Sequence, residues 1–215
     1  MSNIFLLNSI KTLRKNFINT SNISITSHKI LPTLNFMFCD IQDKHYPTLF
    51  DSVNYVKTSS YMAEASKILK INQIVTEHKP EVFGNTIKEV KDNLLEGTKI
   101  ITKTRFPMLD KALISKFNKD STFVIVGAET HICVLQTTIE LLENNMNVVI
   151  LVDGVTSYLE SDRKIALEVL RSIGAYLTTS QSLIYMLMGD SNHHDFKSLL
   201  PIMKRMNGRK NIMLV

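Results

Sequence analysis

The strongest constraint in this chain is an alternation of short apolar runs with stretches of helical period. Asn35–Cys39 (NFMFC), Ser121–Val126 (STFVIV) and Asn147–Val152 (NVVILV) are apolar at nearly every position. Runs of that kind leave no face for water, so they read as strands buried on both sides. Weaker strand signals lie at Gln73–Thr76, Lys99–Thr102 and Ala175–Thr178. Between them come helical stretches at Ser52–Lys70, Thr86–Leu95, Leu109–Phe117, Ser161–Ile173 and Ser180–Met188. Another starts near Ile132, where Ile132, Leu135, Ile139 and Leu142 recur at helical spacing. Strand and helix in turn, with two-sided apolar strands, predict a parallel sheet covered by helices on both faces. The expected fold is therefore α/β: a three-layer α/β/α sandwich on a six-stranded parallel sheet.

Length fits one such unit, since 215 residues can bury a sizeable core and favour one domain over two. Two cysteines, Cys39 and Cys133, make no disulfide framework and point to a reducing compartment. No apolar run approaches the roughly 20 residues needed to span a bilayer. A net charge of +5 would ordinarily suggest nucleic acid or an anionic membrane. Residues 1–39, however, hold Lys11, Arg14, Lys15 and Lys29 and no acidic residue, so only about +1 of the net +5 belongs to the rest. The basic-partner argument applies to that segment alone, and neither a nucleic-acid nor a membrane partner is expected for the body.

Within it Leu6, Ile10, Leu13 and Phe17 line one helical face, the basic residues lie off that face, and Ser, Thr and Asn follow. Basic, acid-poor and Ser-rich amphipathic character is the pattern of a mitochondrial transit peptide. Residues 1–30 are expected to act as one, placing the protein in mitochondria; the alternative is an address-free tail on a cytoplasmic protein. The folded domain is expected over 31–206 and a frayed tail over 207–215.

Three polar residues fall at carboxyl ends of the expected strands: Asp40 after the first, Lys103 after the third and Cys133 after the fourth. Open α/β sheets bind ligands at that edge. In the Rossmann-like order 3-2-1-4-5-6, strands one and four are neighbours at the switch point, and Asp40 faces Cys133. Thr130 reads as an N-cap, which puts Cys133 in the first helical turn, where unpaired N–H groups favour a thiolate. Two readings of Cys133 stand at this point, an activated nucleophile and a small buried core residue. Asp40 alone could be a cap and Lys103 alone a solvated surface charge. Together an acid, a lysine and a thiol on one edge supply proton acceptor, counter-charge and nucleophile.

The segments FCDIQ (Phe38 to Gln42), KTRFPM (Lys103 to Met108) and GAETHICV (Gly127 to Val134) resemble the isochorismatase-like cysteine hydrolase family. The likeness is to its eukaryotic isochorismatase domain-containing branch, which includes a mitochondrial-type member. It covers roughly residues 34–206, with DGVTSYLESDR (Asp153 to Arg163) and GAYLTTSQSLI (Gly174 to Ile184). The resemblance implies a catalytic triad of Asp40, Lys103 and Cys133, with the thiolate attacking a small amide or related acyl group. It also implies a cis peptide at Ala128–Glu129, aiming the backbone N–H groups of Glu129 and Cys133 at the oxyanion. Gln42, His78, Phe106 and His131 are the pocket candidates. A homo-oligomer is implied as well, and the partner is a small-molecule substrate.

Departures from the family matter too. Nicotinamidases carry an Asp-x-His metal motif after strand two; here Thr76-Glu77-His78-Lys79-Pro80 stands in its place. No metal and no cofactor are therefore expected. His78 and His131 are single histidines that read as pocket-wall or loop groups, while His193-His194 has no partner cluster and reads as solvent-facing. Pro107 stands where many relatives have Ser. The expected function is metal-independent hydrolysis through Cys133. The alternative is a catalytically weak or inactive member that serves as an interaction scaffold.

Overall fold

The computed structural model describes residues 33–208. The transit-peptide expectation for 1–30 lies outside them, as does most of the expected tail. Six strands form a single parallel sheet, β1 Leu34–Cys39, β2 Asn72–His78, β3 Ile100–Lys103, β4 Thr122–Ala128, β5 Asn147–Thr156 and β6 Tyr176–Thr178. Their order is β3-β2-β1-β4-β5-β6, the Rossmann-like arrangement expected.

Eight α-helices accompany them among the described residues. They are α1 Ser52–Ile68, α2 Pro80–Phe83, α3 Lys88–Lys91, α4 Lys111–Ile114, α5 Leu135–Glu143, α6 Glu160–Ser172, α7 Ser180–Met188 and α8 Phe196–Asn207. Strand alternation divides the core into two layers. Phe36, Phe38, Val124, Val126 and Leu151 pack on one face of the sheet. Met37, Cys39, Phe123, Ile125 and Ile150 pack on the other. Each large apolar side chain removed from water in these layers contributes about 1.5–3 kcal/mol.

The C-terminal ends of the central strands are brought level by register. Cys39 is opposite Thr76 on one side and Gly127 on the other, and His78 is opposite Lys103. Gly127 permits this closeness. With φ of +137°, a Cβ there would lie 2.2 Å from the Cys39 carbonyl oxygen.

Several expected elements differ in extent. The helix expected over Thr86–Leu95 shrinks to α3, because Thr86 pairs with Gln42 in an antiparallel bridge and is bound by Glu77. The one expected over Leu109–Phe117 is α4, started by the Asp110 side chain accepting the Leu113 N–H at 2.8 Å. β5 runs past Asp153 to Thr156 after a register shift against β4. Asp153 does not end the strand; its carboxylate accepts from the Ser180 N–H at the start of α7. Helix α8 was not among the expected elements, yet Leu199, Ile202, Met203 and Met206 bury one of its faces.

Candidate active site

The switch point between β1 and β4 gathers the three polar residues anticipated there. Asp40 leaves β1 with φ of +52°, which carries its carboxylate inward under the strand ends. Its Oδ1 accepts from the Thr76 hydroxyl at 2.7 Å, and its Oδ2 accepts from Lys103 Nζ at 2.6 Å. Both partners of this ion pair are buried. The same ammonium donates to the Phe106 carbonyl at 2.9 Å, to the Arg105 carbonyl at 3.2 Å and toward Cys133 Sγ at 3.6 Å. Lys103 thus bridges carboxylate and thiol, and two backbone carbonyls hold it there. Burial pulls its pKa down, but the charges of Cys39, Asp40 and Cys133 and the Asp40 hydrogen bond outweigh that and raise it. The lysine is an ammonium, a fixed positive charge beside the sulfur.

Cys133 sits in a π-helical turn, Thr130–Val134, that runs directly into α5. The Ala128–Glu129 peptide before it is cis. Glu129 holds the cap position in an extended conformation, and its carbonyl accepts the Ile132 and Val134 N–H groups at 3.1 and 3.2 Å. Thr130 is therefore not the N-cap: it lies inside the turn, and its buried hydroxyl has no hydrogen-bond partner among the described residues. The turn is tied to the loop that follows β3. Thr137 Oγ1 donates to the Cys133 carbonyl at 2.6 Å and accepts the Met108 N–H at 3.0 Å.

A cavity of about 110 Å³ opens onto this arrangement. Its floor is Asp40, Ala128 and Cys133, and Gln42 and Ile132 also line it. One wall is aromatic, with Phe83 5.7 Å and Phe106 5.8 Å from the His78 ring centre. Burial and the Lys103 charge lower the His78 pKa, so the ring is held neutral. His45 and Glu129 complete the cavity, His45 Nε2 standing 3.7 Å from Glu129 Oε1. Glu129 Oε2 accepts the Tyr158 N–H at 2.7 Å. The close approach of His45, then the Tyr158 N–H hydrogen bond and the nearby histidine charges, lower the Glu129 pKa against the effect of burial.

Among the residues expected here, Asp40, Lys103 and Cys133 come together, and Gln42, His78 and Phe106 line the cavity. Gln42 acts as a brace: its Oε1 accepts the His78 N–H at 2.8 Å and its Nε2 donates to the Gly84 carbonyl at 2.6 Å. His131 is not in the cavity lining. Its Nδ1 lies 3.0 Å from the Ser157 hydroxyl and its Nε2 is 3.9 Å from Asp162, because the first turn points that ring away from the sheet edge.

Three further residues, Thr76, His45 and Phe83, contribute to the site beyond those expected from the sequence. Thr76 ends an expected strand at this same edge, and that was the available signal for it. His45 and Phe83 lie in loop and short-helix segments with no pattern of their own. A second thiol, Cys39, lies beneath the site, 3.8 Å from Asp40 Oδ2, and burial pushes its pKa well up.

His193 and His194 do have a partner. With Asp195 they present ligand atoms within 4.8 Å of one another, the one group of this kind among the described residues. His194 is exposed and none of the three lines the cavity. His193 Nδ1 is occupied in accepting the Asp195 N–H at 3.1 Å.

Comparison with known proteins agrees with this architecture. The isochorismatase domain family matches residues 36–182. Isochorismatase family protein 1B of Dictyostelium discoideum is 38% identical over 184 residues, spanning 82% of this chain and 89% of that protein. Isochorismatase domain-containing protein 2 of Danio rerio is 34% identical over 166 residues, 76% of this chain and 83% of that protein. A solved structure titled MAR1 ribonuclease from Caenorhabditis elegans superposes with a TM-score of 0.80 at 35% identity, covering 86% of this chain and 96% of that one.

Proposed function

This chain belongs to the isochorismatase family of hydrolases, and from that premise we propose that it hydrolyses a small amide or related acyl compound through Cys133. The observation that carries the reading is the buried Lys103 ammonium, 2.6 Å from Asp40 and 3.6 Å from the Cys133 sulfur at the cavity floor. In this reading Asp40 is the proton acceptor and Lys103 stabilises the thiolate. The thiolate attacks the acyl carbon, and charge moves onto the carbonyl oxygen, where the backbone N–H groups of Glu129 and Cys133 stabilise it. The C–N bond breaks as Asp40 returns the proton to the departing nitrogen, leaving a thioester on Cys133. Water, deprotonated by the same carboxylate, then releases the acid and regenerates the thiol.

The carboxylates at this edge are already engaged by protein groups. Asp40 is bound to Lys103 and Thr76, and the Glu77 carboxylate accepts from the Thr86 N–H and hydroxyl at 2.6 and 2.7 Å. The cavity, at about 110 Å³, is smaller than a typical drug-sized pocket of roughly 300–1,000 Å³, which argues for a substrate of few heavy atoms.

A panel of small amides assayed for released ammonia or amine tests this, with Cys133→Ala as control. Turnover that vanishes in Cys133→Ala supports the proposal; turnover that survives the substitution rejects it. RNA belongs in the panel because of the name borne by the C. elegans structure, and the expected result is no cleavage. A protein inert toward every amide, with an unreactive Cys133, would favour a scaffold role.

A further inference from the structure

Charge is distributed unevenly around the cavity. Its lining includes two carboxylates, Asp40 and Glu129, and neither lysine nor arginine. Asp40 is paired with Lys103 at 2.6 Å; Glu129, the other carboxylate, has the histidines His45 and His131 at 3.7 and 4.0 Å. That carboxylate is fixed at both oxygens: Oε2 accepts the Tyr158 N–H at 2.7 Å, and Oε1 faces His45 at 3.7 Å. It is about five-sixths buried, its side chain only 16% exposed, so water screens it less than a surface charge. The same lining contains the neutral aromatic cluster of Phe83, His78 and Phe106. A flat molecule entering this space meets π-faces and a hydrogen-bond acceptor with negative charge.

We propose that the Glu129 side chain is a charge filter that restricts the substrate to small planar amides or ureides that are uncharged or cationic, and that turns away carboxylates and phosphates. The inference rests on Cys133 being the nucleophile and adds a selectivity that nucleophilicity alone does not supply. Substrate N–H groups would donate to Glu129 Oε1, which retains acceptor capacity. An anionic group in the same place would face a like charge in a partly desolvated site whose lining holds neither lysine nor arginine.

The test uses the full chain and two size-matched thiol reagents, neutral iodoacetamide and anionic iodoacetate. Labelling of Cys133 is followed by peptide mapping, which separates it from buried Cys39. Rates are divided by those for a small free thiol, which removes the intrinsic difference between the reagents. The expected result is a neutral-to-anionic preference at Cys133 about tenfold above the free-thiol reference, as one partly screened charge would give. Glu129→Gln should collapse that preference several-fold while the reference is unchanged. Should the substitution disturb the turn, the unaltered protein still decides the matter, because raising the salt concentration must shrink the preference. A Cys133 preference within about twofold of the free thiol, insensitive to salt, overturns the charge filter alone. Failure of both reagents to label Cys133 overturns the nucleophile reading and the filter with it.

Discussion

Replacing Gly127 with alanine perturbs the seam on which the site depends. A Cβ at this position would come within 2.2 Å of the Cys39 carbonyl oxygen, 2.5 Å of its Cβ and 2.7 Å of its Cα. Carbon atoms in ordinary contact lie about 3.5–4.0 Å apart, so β1 and β4 must part by roughly 1 Å at their C-terminal ends. These neighbours are largely backbone in the centre of a sheet, so no side chain can swing aside to relieve the clash. Forcing extra volume into a packed core costs about 1–3 kcal/mol, and φ of +137° adds roughly 1–3 kcal/mol more for a residue with a side chain. Gly127→Ala is therefore expected to destabilise the protein by about 3 kcal/mol or more. It also moves Asp40, next to Cys39, away from the turn bearing Cys133. Misplacement of about 1 Å can cost on the order of 100-fold in rate. Urea denaturation gives the first quantity and the iodoacetamide labelling rate of Cys133 the second. Gly97→Ala is the control, since Gly97 also has positive φ, +81°, but nothing lies within 4 Å of a Cβ there. If Gly127→Ala loses no more stability than Gly97→Ala and Cys133 labels at the unaltered rate, the seam does not set the geometry.

Lys103→Met should lower the urea midpoint by an amount equivalent to about 3–5 kcal/mol, because it leaves the Asp40 carboxylate buried without its counter-ion. The same variant should slow Cys133 labelling several-fold, since the ammonium 3.6 Å from the sulfur is gone. His78 predicts a pH effect. Burial, then the Lys103 charge, lower its pKa, so the folded state prefers the neutral ring. Its contribution to stability is present above the unfolded value of about 6.5 and is lost as pH falls through the lower folded value. His78→Phe should therefore flatten the loss of urea midpoint below about pH 6.5; an unchanged acid slope would contradict this. For the N-terminal segment the proposal is mitochondrial import. A fusion of residues 1–34 to a fluorescent reporter should enter mitochondria, and a diffuse cytosolic signal would reject it.

How much of this was legible in the chain depends on whether the cause was local. Two-sided apolar strands such as NFMFC and NVVILV announced a parallel sheet, and a parallel sheet puts residues after strand ends on one edge. Asp40, Lys103 and Cys133 could be grouped for that reason alone. Side chains acting across long sequence separations were not legible. Glu77 captures Thr86 and shortens the helix expected there, and Asp153 caps α7 from within β5 instead of ending it. Pro201 lies inside α8 and obscures a helix whose apolar spacing, Leu199 to Met206, was present all along. His45 and Phe83 meet at 5.1 Å only because the loop after β1 and the helix after β2 fold onto each other, and no local pattern encodes that contact.

We propose that Asp40 and Lys103 hold Cys133 ready as a nucleophile. The most direct measurement is the iodoacetamide labelling rate of Cys133 from about pH 5 to 9, beside a small free thiol whose ordinary pKa is about 8.5. In the full chain, Cys133 should label faster than the free thiol near pH 6, and Lys103→Met should abolish that advantage. Labelling that merely tracks the free thiol, and that Lys103→Met leaves unchanged, would rule out an activated Cys133.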